Sequence, residues 1–187
     1  GAFELRFMNW VMAATAPNGS RASRDPAARP ALAEAAKNIR HYLLNLPLRK
    51  GLTPLRLAPE YEDWLVWAMG HAENDSYWKQ PGFSVIDQID SYKDVPVYLV
   101  GGWYDSWGRQ TTMNYMALSM SKKGPVKMIL GPWIHAFHMQ SAHGQVEFGA
   151  GAAIEGFAFR LRWYDRWLKS IRNGAEDDPP VRIFVMG

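Results

Sequence analysis

The chain has 187 residues, 48% of them hydrophobic, which is enough for one buried core and too few for two ordinary domains. Its 21 basic and 18 acidic residues are interspersed, so no stripe of Lys and Arg can track phosphates, and nucleic acid is not an expected partner. Cys is absent, which excludes disulfides and thiolate metal sites but leaves the compartment open, and no apolar run approaches the ~20 residues needed to cross a bilayer.

Residues 3–16 are apolar and aromatic until Pro17-Asn18-Gly19-Ser20 ends this first element with turn formers. After Asp25-Pro26 and Pro30, the positions Leu32, Ala35, Ile39, Leu43 and Leu46 line one side of a predicted helix that Pro47 stops. A second helix is expected after Pro59, with Tyr61, Trp64, Leu65, Ala68 and Met69 on one face. Residues 71–83 are polar and aromatic and are expected to pack through their rings. Nine Trp in the chain suggest either a heavily packed core or a cleft lined with rings.

The character changes near Val95. Pro96-Val97-Tyr98-Leu99-Val100 is a short β-branched run closed by two glycines, as a buried parallel strand would be. A helical pattern follows through Met113, Met116, Leu118 and Met120, and residues 126–130 form a second strand of the buried type. From Ile154, apolar residues at Phe157, Leu161, Tyr164, Leu168 and Ile171 predict a long helix ending at Asn173-Gly174. Its tryptophans are expected in the core, and Arg162, Arg166 and Lys169 on a charged outer face. The final run, residues 180–186, alternates like the opening of a further β-structure.

Two polar clusters stand where a parallel α/β sheet places a site, in the loops after the carboxyl ends of strands. They are Gly101-Gly102-Trp103-Tyr104-Asp105-Ser106-Trp107 and Gly131-Pro132-Trp133-Ile134-His135. One helix and one strand separate Asp105 from His135, so a crossover connection would bring both loops to the same sheet end. A carboxylate and an imidazole there suit nucleophilic catalysis: the imidazole takes a proton from a weak hydroxyl nucleophile, and the carboxylate fixes its tautomer. Their order along the chain is that of the acid and base in α/β-hydrolases.

The runs Asp75-Ser76-Tyr77-Trp78, Gly101-Gly102-Trp103-Tyr104-Asp105, Gly131-Pro132-Trp133-Ile134-His135, Arg162-Trp163-Tyr164-Asp165-Arg166-Trp167-Leu168-Lys169 and Pro180-Val181-Arg182-Ile183-Phe184-Val185-Met186-Gly187 closely resemble the CocE/NonD serine hydrolases. That family includes cocaine esterase and X-Pro dipeptidyl-peptidases. The resemblance implies an α/β fold. Residues 1–4 would end an upstream core segment, 5–92 would form an inserted helical cap, 93–178 the C-terminal part of the hydrolase core, and 179–187 the first strand of a truncated jelly-roll β-sandwich. It also implies Asp105 as triad acid, His135 as triad base, Trp107 facing the acyl pocket, and a small ester, amide or short peptide as substrate, with no cofactor or metal. None of the ten serines lies in a Gly-x-Ser-x-Gly, so the chain reads as an excerpt lacking the nucleophile and inactive alone. Two other readings stay open: a noncatalytic binding module built on the aromatic loops, and a metal-dependent hydrolase using His135, His138 and His143. His138 and His143 otherwise read as solvated loop residues.

Overall fold

The structure is a computed structural model that describes residues 7–19, 22–136 and 138–186. The expected upstream core segment at 1–4 lies outside the described residues. The chain divides into two compact units, Gly1–Trp78 and Lys79–Gly187.

The first unit is helical. Residues 7–18 wind as one helical segment whose middle, Val11–Thr15, widens to a π-turn. Pro17 follows two residues later; it has no N–H to donate to the preceding turn, and a widened turn accommodates that loss. Helix α1 (Ala28–Lys37) begins after Asp25, whose carboxylate accepts the N–H groups of Ala27 and Ala28 at 2.8 and 3.1 Å. The sequence pattern predicts one helix to Leu46, but the structure breaks it at Asn38. The Asn38 amide turns back to the Glu34 carbonyl at 3.2 Å, and a short α2 (Ile39–Leu43) resumes beyond it. Helix α3 (Pro59–Met69) carries Pro at its first position, where the missing N–H costs nothing. Met8, Met12, Leu32, Leu55 and Leu65 are buried in one shared cluster, each contributing about 1.5–3 kcal/mol.

The second unit is a parallel sheet with a helix on each face. Strand β1 (Val97–Gly102) pairs with β2 (Val126–Gly131) from Val97↔Val126 to Gly102↔Gly131. Their connection carries helix α4 (Gly108–Ser121), as two parallel neighbours require. A small hairpin, β3 (Ala142–His143) with β4 (Val146–Glu147), precedes helix α5 (Gly156–Leu168). On one face of β1, Gly101 has so little room that an added methyl would meet Thr111 of α4 at 2.9 Å. On the other face, Tyr98 packs edge-on against Phe159 and Trp163 of α5, with ring centroids 4.7 and 5.1 Å apart. Helix α5 ends at Leu168, short of the expected end at Asn173-Gly174, because Ser170 adopts a left-handed φ of 59°.

Residues 79–92 group with the second unit. Lys122 donates to the Ile89 carbonyl at 2.7 Å, and Gly124 N–H donates to Asp94 at 2.8 Å, tying the segment to the end of α4. In the final run, β5 (Val181–Ile183) pairs parallel with β2 and completes a sheet ordered β1-β2-β5. Arg162 and Arg166 are not a free outer face of α5, since Arg162 forks onto Asp178 at 2.6 and 3.1 Å and Arg166 meets Glu176 at 2.8 Å. Lys127 of buried β2 points the same way, its ammonium donating to the carbonyls of Ala175, Glu176 and Asp178. A buried Lys is tolerable when its donors are met, and here they fix the segment that leads into β5.

Candidate active site

Both polar loops leave the carboxyl end of the sheet, and the β1–β2 pairing extends beyond the strands. Trp103 N–H donates to Gly131 O at 2.9 Å and Tyr104 N–H to Trp133 O at 3.0 Å. This approach needs glycine. A methyl on Gly102 would stand 2.0 Å from the Trp133 carbonyl oxygen, and one on Gly131 would stand 2.2 Å from the Trp133 ring. Trp133 is 3% exposed, and its indole donates to Ala152 O at 2.6 Å, so it anchors the second loop from beneath. Ala136, just past His135, has a φ of 67°, a strained conformation of the kind that gathers at functional sites.

These constraints bring Asp105 and His135 together. Asp105 Oδ2 lies 3.0 Å from His135 Nδ1, while Oδ1 accepts the Trp107 N–H at 3.0 Å. The carboxylate side chain is 11% exposed and the imidazole 57%. An ionised carboxylate can only accept, so Nδ1 carries the hydrogen of this contact, and in the neutral ring Nε2 then keeps a lone pair. No hydroxyl among the described residues is bonded to that imidazole. Trp107 lies with its ring 4.6 Å from the His135 ring. The two rings are tilted by 55°, and Trp107 is not among the residues that line the pocket beside His135.

That pocket has a volume of about 210 Å³ and is walled by Gly102, Asp105, Trp133, His135, His138 and Arg160, among others. Arg160 was missed as a site residue, because nothing in its local sequence marks it, and His138 was named only as a metal ligand or a solvated loop residue. His138 is not a solvated loop residue. Its Nε2 accepts from the Arg160 guanidinium at 3.3 Å, its ring lies 6.2 Å from Trp133, and burial, then the Arg160 charge, hold its pKa below the ordinary imidazole value. His143, also expected in solvent, is 8% exposed. No group of three His, Asp or Glu among the described residues could hold a metal ion, so the structure does not gather the three histidines of the metal reading.

No curated protein matches the chain. The family model of X-Pro dipeptidyl-peptidase (S15 family) matches residues 1–137, a span that contains β1, β2, Asp105 and His135. With most of its length inside that match and an α/β arrangement consistent with it, the chain belongs to the X-Pro dipeptidyl-peptidase (S15) family of hydrolases.

Proposed function

We propose that this chain supplies the acid and base of a serine hydrolase that cleaves an ester or amide bond by acyl transfer, with a nucleophilic serine lying outside these residues. The observation that carries the reading is the 3.0 Å contact between Asp105 Oδ2 and His135 Nδ1 at the carboxyl ends of adjacent parallel strands. His135 Nε2 takes the serine proton as the hydroxyl oxygen attacks the carbonyl carbon, then returns it to the leaving oxygen or nitrogen. Water repeats the sequence on the acyl-enzyme. Asp105 orients the ring and stabilises the imidazolium formed in each half-reaction. Because one carboxylate oxygen is held by the Trp107 N–H, the other is aimed at Nδ1. Trp107 limits the tilt of the imidazole through ring contact, so its part is positioning. This chemistry requires no metal or organic cofactor.

The test is kinetic. In the complete enzyme carrying this chain, His135→Ala and Asp105→Asn should each remove nearly all turnover of p-nitrophenyl esters and of Gly-Pro p-nitroanilide, with circular dichroism unchanged. Wild-type turnover in either folded variant would reject the assignment.

A further inference from the structure

The pocket beside His135 has a charge that the acyl-transfer reading leaves unused. Arg160 projects from the first turns of α5 into the same pocket wall as Asp105 and His135. It is exposed, and its only bonding partner among the described residues is His138 Nε2, at 3.3 Å. This contrasts with the basic residues two and six positions further along the helix, Arg162 and Arg166, which both meet carboxylates. A guanidinium has five N–H donors in a planar fork suited to carboxylate. One donor is spent on a neutral imidazole, which steadies the side chain without cancelling its charge.

The imidazole is itself held in place. His138 O accepts the Ile154 N–H at 3.0 Å, and Gly156 leaves the space its ring occupies, since a methyl there would stand 2.8 Å from Nε2. Burial and the neighbouring guanidinium both favour neutral His138, so it stays an acceptor for Arg160 and adds no second cation. Among the described residues that line the pocket, Asp105 is the one carboxylate, and it is turned to His135 and Trp107.

We infer that Arg160, steadied by His138, is an anion subsite that selects esters or amides whose acyl or leaving part carries a carboxylate. This rests on the acyl-transfer reading for its substrate chemistry, but the binding step can be measured without turnover. The first probe is adipate, titrated into the complete enzyme and followed by isothermal titration calorimetry. Saturable binding is expected, weakened at least about tenfold in Arg160→Gln, as for a lost hydrogen bond to a charged group. Adipamide, the uncharged analogue, should bind no better to wild type than to the variant. Equal adipate affinity in wild type and Arg160→Gln, or no saturable heat of binding at all, would overturn the subsite.

The second measurement uses the complete enzyme and compares mono-p-nitrophenyl adipate with p-nitrophenyl hexanoate. Arg160→Gln should lower the ratio of their kcat/KM values by about tenfold. An unchanged ratio would overturn the specificity role while leaving hydrolysis itself intact. Hydrolysis of neither ester by wild type, with adipate still bound through Arg160, would instead defeat the acyl-transfer reading and leave the subsite standing.

Discussion

Histidine meets aspartate in both units of the molecule, and the two pairs are built in opposite ways. His71 Nδ1 and Asp75 Oδ2 are 2.5 Å apart and only four residues apart in sequence, beyond the end of α3. The ring is 26% exposed, stacked 4.2 Å from Trp67 and 5.1 Å from Tyr77, while the carboxylate is the more exposed partner at 39%. Asp105 and His135 reverse this: the acid is 11% exposed and the imidazole 57%. A pair that pins a turn can bury its ring among other rings. A pair that moves protons must instead shelter the orienting carboxylate and leave the far ring nitrogen accessible. Distance alone would not separate them; burial of one member against the other does.

The largest effects should fall on the second pair only. Asp105→Asn in the complete enzyme should lower turnover by about 10⁴, the loss known for a triad that has lost its orienting carboxylate, and His135→Ala by at least as much. His71→Ala should show no such fall in the folded enzyme. A comparable loss from His71→Ala, measured as kcat on a p-nitrophenyl ester, would erase the distinction between the pairs.

Next in size is the loop geometry on which the second pair depends. Gly102→Ala forces a methyl against the Trp133 carbonyl oxygen, a backbone atom that cannot rotate away. It should cost about 2–3 kcal/mol in urea unfolding. If it proves neutral, the approach of the two loops is looser than described. His71→Ala should cost less, about 1–2 kcal/mol, through lost ring contacts and one hydrogen bond.

The smallest effect is a pH dependence in the first pair. The Asp75 carboxyl is held below its ordinary value, chiefly by the bond to His71 and, against desolvation, by the Tyr77 N–H. A depressed folded pKa contributes stability that is complete above the unfolded carboxyl value of about 3.9 and is lost as pH falls through the folded value. The melting-temperature advantage of wild type over Asp75→Asn should therefore be steady near neutral pH and shrink below about pH 4. An advantage that grows on acidification would reverse the sign of this account.

Much of this could be read before any coordinates. The β-branched runs ahead of Gly101 and Gly131 mark two parallel strands, of which only β2 is buried throughout, and the loops after them bring a carboxylate and an imidazole within hydrogen-bond reach. Pro59 and the apolar spacing behind it give α3. Illegible features depend on groups far apart in sequence. Asn38 breaks a well-patterned helix by a side-chain bond that periodicity cannot register. The attachment of residues 79–92 rests on Lys122 and Asp94, whose partners lie about thirty residues away. Arg160 enters the pocket only because α5 is held across Tyr98, so its local sequence resembles any charged turn of a helix.

The central claim concerns which nitrogen of His135 bears the proton, and nitrogen-15 imidazole NMR on the 187-residue chain reads this without requiring turnover. Above the pH at which imidazoles ordinarily titrate, His135 should be in the Nδ1–H tautomer with a downfield-shifted proton, and Asp105→Asn should abolish that signal. An Nε2–H tautomer in wild type, unchanged by Asp105→Asn, would contradict the account.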